Sequence, residues 1–133
     1  VSKHSDLPNE VEKDPLGVEM YEKVLGRPEP AERPMIGLRA LGLNHLFAKV
    51  WSRPILSIRD RRLITIALLA SQGRQDQLVS HIRGALDGED PLTEDEILEI
   101  MVQVAHYAGW AAGAGGEGIA RRTFRERSEA SEK

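Results

Sequence analysis

The sequence contains four histidines and no cysteine, and those two facts bound its chemistry. Without cysteine there is no thiolate nucleophile, no Cys-ligated zinc, no disulfide and no dithiol redox cycle. His81 is the strongest remaining candidate. Helical spacing puts it at the border of an apolar arc formed by Leu78, Val79, Ile82, Ala85 and Leu86, beside Gln77, Gly84 and Gly88. Small neighbours leave room for a ligand between helices, and an imidazole titrates near neutrality, so it suits proton donation or acceptance. The competing reading is a hydrogen-bonded structural or surface histidine. His45, six residues before Trp51, reads as a partner-facing or core-edge residue. His106 points away from the core stripe of its helix together with Val102 and near Trp110, an apolar and aromatic second face that suggests a subunit interface.

Arg53, Arg59, Arg61 and Arg62 crowd the start of one helix. Such runs are usually solvated or paired with acids such as Asp60, yet a helix N-terminus adds partial positive charge, so one or two could hold a carboxylate substrate. No metal is expected, since neither a His-x-x-x-His nor a Glu-x-x-His pair supplies a ligand set. Residues 113–118 (GAGGEG) satisfy G-x-G-x-x-G, but no strand precedes them, and close helix packing or a flexible joint is the better reading.

The elements that must position these groups read as helices. Pro15 opens a first helix that Gly26 stops. A second runs from about Ile36 to Val50 and ends before Pro54. Ser57 caps a third, to about Gln72, whose LITIALLA stretch implies burial on every side. Gln75 to Gly88 forms the fourth. Thr93-Glu94-Asp95-Glu96 is a capping box for the fifth, with Ile97, Met101 and Val104 in its core stripe. The last spans about Ala111 to Arg127 and is weakened by its glycines. No strand pattern survives, so the fold class is all-α: a compact bundle of about six helices.

The chain has 133 residues, is 41% apolar and 29% charged, and carries a formal charge of −3. That composition supports one soluble domain, residues 15–133, behind a polar tail, residues 1–14, expected to be mobile. Balanced charge argues against nucleic-acid or anionic-membrane partners. The absence of a long apolar run or signal-like start makes a cytoplasmic location the default expectation.

From about His45 to Ala120 the chain resembles the carboxymuconolactone decarboxylase family, within the alkylhydroperoxidase D-like superfamily. Trp51-Ser52-Arg53-Pro54 with Leu56 resembles its W-x-R-P-x-L, and Arg61 with Leu63 and Thr65-Ile66-Ala67 its R-x-L-x-T-I-A. Leu78-x-x-His81 with Ala85, then Thr93 to Ile97, then Gln103-x-Ala105-x-Tyr107-x-Gly109 follow in order. The resemblance implies an all-α fold assembling as homotrimer or homohexamer, with sites near subunit interfaces. It also implies decarboxylation without metal or organic cofactor, of a small carboxylated lactone or related unsaturated or β-keto acid, in aromatic-acid breakdown. On that reading His81 is proton or oxyanion donor with His45 in support. Arg53 or Arg61 orients the carboxylate, and Trp51, Gln77 and Tyr107 line the substrate site. Three features depart from the family pattern: Gln77 replaces a glutamate, Ala111 replaces a proline, and the loop from Gly88 to Thr93 is longer. The superfamily's peroxidase cysteines correspond to Arg74 and Gln77, which excludes thiol peroxidase chemistry. The alternative is a non-catalytic oligomer that binds a small acid or a protein.

Overall fold

In the computed structural model, which describes residues 9–132, six α-helices and one π-helical segment make up the fold, and no strand occurs among the described residues. They are α1 (Pro15–Leu25), α2 (Gly37–Leu41) continuing as a π-helical segment (Gly42–Trp51), α3 (Ile58–Ser71), α4 (Gln75–Asp87), α5 (Glu94–Ala108) and α6 (Trp110–Ser131). Local chemistry sets most of the boundaries. The Asp14 side chain accepts the Leu16 N–H ahead of Pro15, and Gly26 ends α1 in the left-handed conformation. Ser57 accepts the Asp60 N–H, and Thr93 and Glu96 form the reciprocal capping box. Residues 1–8 of the expected tail lie outside the described residues. Beyond them, the Val11 N–H donates to the Met35 carbonyl and Lys13 pairs with Glu29.

Two buried clusters divide the work. The larger draws on α3 to α6, with Ile66, Leu78, Ile82, Ile97 and Ala120 at its centre. The smaller joins Met20, Val24 and Leu25 of α1 to Phe47 and Trp51. Between them, α4 meets α1 so closely that a Cβ at Gly84 would be driven into the Val24 carbonyl. Likewise α6 returns along α5 after Gly109, whose φ of 114° suits only glycine, and Gly113 and Gly116 lie against Ala105 and Met101. The glycine-rich motif is therefore a helix-packing surface, and α6 runs unbroken through it to Ser131.

Three expectations are corrected. The second helix is π-helical over its last ten residues and includes Trp51. Helix α3 is not buried on every side: Ile66 and Ala70 are enclosed, but Ile64 and Leu68 are 48% and 54% exposed, because α4, α5 and α6 cover only one flank in a single chain. Nor are the arginines of α3 all solvated or paired with Asp60. Arg59 pairs with Glu96, while Arg62 is fully buried and donates to the carbonyls of Lys23, Val24, Glu89 and Asp90.

The helix contacts give a paired test by urea denaturation. Gly84→Ala, although favoured by helix propensity, should destabilise by about 1 to 3 kcal/mol through overpacking. Gly118→Ala, where a Cβ meets nothing within 4 Å, should stabilise by up to about 1 kcal/mol.

Candidate active site

Trp51 ends the π segment and His81 lies midway along α4, and their rings stack with centroids 6.0 Å apart and planes 15° from parallel. Trp51 is only 5% exposed. The His81 Nδ1 is enclosed and has no hydrogen-bond partner. Burial, reinforced by the positive charges of Arg62 and Arg27, pulls the His81 pKa down to about 4, so the ring is neutral at physiological pH.

The space expected around His81 is filled differently. Gly84 and Gly88 do not open a ligand pocket. Their missing side chains admit the backbone of α1 at Lys23 and Val24, and the Arg62 guanidinium reaches Gly88. The open volume lies instead beside Trp51, a cavity of about 140 Å³ lined by Leu46, Val50, Trp51, Arg61, Ile64 and Thr65. Arg61 enters it from the first turn of α3. Its Nη2 donates to the Arg53 carbonyl at 3.3 Å, and its Nε–H is enclosed without a partner. A buried donor left unpaired costs on the order of 1 to 3 kcal/mol, a cost that an acceptor from outside the chain would relieve.

The structure thus stacks His81 on Trp51 and places Arg61 in the cavity that Trp51 lines, which His81 does not itself line, and adds Thr65, which sequence reasoning had read only as part of a motif. A hydroxyl one helical turn from Arg61 on an otherwise apolar stretch was the available signal. Of the two arginines weighed for the carboxylate, Arg61 lines the cavity; Arg53 is exposed and contributes its carbonyl. His45 and Gln77 are exposed and Tyr107 is 85% exposed; within one chain none of the three lines this cavity. His106 is also exposed, its Nδ1 2.7 Å from the Val102 carbonyl and its ring edge-on to Trp110. No group of acids and histidines able to hold a metal occurs among the described residues, and no described helix is long and apolar enough to cross a membrane.

The depressed His81 pKa makes stability depend on acid in a defined window. Above about 6.5 the ring is neutral folded and unfolded; between 6.5 and about 4 the unfolded chain binds a proton that the folded ring refuses. Wild-type stability should therefore fall as pH drops through that window. In thermal melts against pH, His81→Gln should lose that part of the acid sensitivity.

The family model for the carboxymuconolactone decarboxylase family matches residues 38–121. The chain is 36% identical over 87 residues to the 4-carboxymuconolactone decarboxylase of Acinetobacter baylyi, covering 65% of this chain and 63% of that protein. It is 35% identical over 99 residues to the nitrosuccinic acid decarboxylase of Metarhizium robertsii, covering 74% of this chain and 66% of that one. The match thus spans somewhat less than two thirds of the length of both curated relatives. With the matched segment taking in the π segment and helix α3, which line the Trp51 cavity, the chain belongs to the carboxymuconolactone decarboxylase family.

Proposed function

We propose that this protein is a cofactor-independent decarboxylase of small diacids that carry their own electron acceptor. The observation that carries this reading is the pair of enclosed, unpartnered nitrogens, Arg61 Nε and His81 Nδ1, on residues that both contact or flank Trp51. The names of the two relatives point to one chemical class. Carboxymuconolactone presents an unsaturated lactone, nitrosuccinic acid presents a nitro group, and each has a second carboxylate besides the one lost. As the carbon–carbon bond breaks and CO₂ departs, the electron pair moves into the lactone or nitro group, and a proton later restores the C–H bond. No external electron sink is required.

The lining suggests a division of labour. An arginine on the departing carboxylate would stabilise the ground state most and slow its loss, since only interactions that strengthen in the transition state accelerate a reaction. Arg61 therefore anchors the carboxylate that stays. The departing one faces Leu46, Val50 and Ile64, where its negative charge is best dispersed into the acceptor. His81 does not itself line the cavity; stacked on Trp51 with its Nδ1 unpartnered, it is assigned the part of neutral hydrogen-bond donor to the oxyanion that develops, with Thr65 as a second donor at the wall. A neutral ring also fits the glutamine at position 77, where the family pattern has a glutamate.

Release of CO₂ from carboxymuconolactone and nitrosuccinate tests the assignment, with multiple turnovers expected on at least one of them. His81→Ala and Arg61→Ala should each lower kcat/KM by about 100-fold or more, while Arg53→Ala stays within about threefold. For the wild type, kcat should lack any titration from His81 between about pH 5 and 8. Saturable binding of both acids without CO₂ would instead make the protein a small-acid-binding module.

The same reading includes assembly into a homo-oligomer. Val102, Tyr107 and Trp110 are 46%, 85% and 71% exposed on one end of the α5–α6 pair, and Leu46, Ile64 and Leu68 stand exposed beside the Trp51 cavity. Large exposed apolar patches mark contact surfaces. Sedimentation should give a multiple of 14.8 kDa, trimer or hexamer, and Trp110→Glu or Leu68→Glu should shift the population towards monomer.

A further inference from the structure

The π segment also walls a second cavity, of about 370 Å³ against about 140 Å³ beside Trp51. None of its lining residues belongs to the Trp51 cavity. Phe47 and Leu43 of the π segment and Leu38 of α2 supply apolar surface, and Tyr21 of α1 meets Phe47 edge-on, with centroids 5.2 Å apart. The remaining wall is charged. Glu29 is nearly enclosed, its side chain 4% exposed, and pairs with Arg39 at 2.5 Å and Lys13 at 2.6 Å. Its backbone N–H donates to the Glu22 carboxylate at 3.1 Å. Arg27 donates to the Tyr21 hydroxyl at 3.2 Å and lies over that ring.

Three charged residues line the cavity, Glu29, Arg33 and Arg39, and their charges are not matched evenly. Glu29 is already matched by Arg39 and Lys13. Arg33 lines the cavity, is exposed, and makes no ion pair among the described residues. An aromatic and aliphatic wall facing an unspent guanidinium is the chemistry that recognises a flat organic anion: the ring is taken out of water and the carboxylate gains a charge-assisted pair.

We propose that this cleft between α1, α2 and the π segment is a second small-molecule site, taking an aromatic or unsaturated carboxylate with its ring against Phe47 and Leu43 and its carboxylate on Arg33. The site does not depend on the decarboxylase reading, since it shares no lining residue with the Trp51 cavity. Phe47 and Trp51 lie in one buried cluster with Met20 and Val24.

Benzoate is a suitable probe, with benzamide as its uncharged counterpart, and backbone amide NMR of the full chain locates where each binds. Benzoate should give saturable shifts centred on Leu38, Gly42 and Phe47, and benzamide should bind about tenfold more weakly for want of the charge. Arg33→Ala should weaken benzoate by a similar factor. Gly42→Leu should abolish binding: Gly42 lines the cavity in helical geometry, φ −58°, and a Cβ there meets nothing within 4 Å, so the new side chain enters the cleft without strain. Arg61→Ala should leave benzoate binding at this cleft unchanged even if it removes turnover. Shifts confined to Leu46, Trp51 and Thr65, loss of all binding in Arg61→Ala, or no saturation up to about 10 mM would overturn the proposal.

Discussion

One buried guanidinium holds the molecule in register. Arg62 is 1% exposed and meets no carboxylate; its donors go to four backbone carbonyls, two at the C-terminal end of α1 and two in the loop between α4 and α5. Carbonyls at a helix end have no partners within the helix and carry partial negative charge, so α1 offers both the acceptors and the field that a buried cation needs. Burial draws the Arg62 pKa down to about 10, with Asp90 and Glu89 opposing, and the group stays charged at neutral pH. Two separate pieces of chain are thereby tied to α3, and the bare faces of Gly84 and Gly88 let α1 come close enough for the ties to form.

The electrostatics of the Trp51 cavity follow from that arrangement. A cation that cannot leave the interior penalises a second one nearby, so Arg62 adds to burial in keeping the His81 ring uncharged. Arg61, one residue earlier, lines the cavity, gives one bond to the Arg53 carbonyl and keeps an enclosed Nε–H without a partner. Adjacent positions about 100° apart on one helix therefore serve opposite ends: Arg62 binds the fold to itself, and Arg61 is left with capacity for something from outside.

What could be read from the sequence was whatever depends on a few neighbouring residues. Pro15 at the first helical position, Ser57 with Asp60, and the Thr93–Glu96 box set helix starts through chemistry three residues or fewer in reach. The core stripe of α5 also carried through, with Ile97, Met101 and Val104 buried. The misreadings share a cause, which is that the deciding partner is distant along the chain. Arg62 looked like its neighbours because its acceptors lie 27 to 39 positions away. Gly84 and Gly88 looked like room for a ligand because nothing local said that α1 would fill it. Ile64 and Leu68 read as core because composition does not reveal which flank a single chain leaves uncovered.

The π-helical turns before Trp51 have a consequence for how this stretch can vary. An α-helix advances about 100° per residue, so removing one position from Gly42–Trp51 would swing everything after it around the axis by roughly that angle. The indole would leave the imidazole, and Phe47 would no longer face α1. The number of residues in this segment is therefore set by the packing of Phe47 and Trp51, both buried. Spacing, as much as identity, is what the packing of this part of the chain requires.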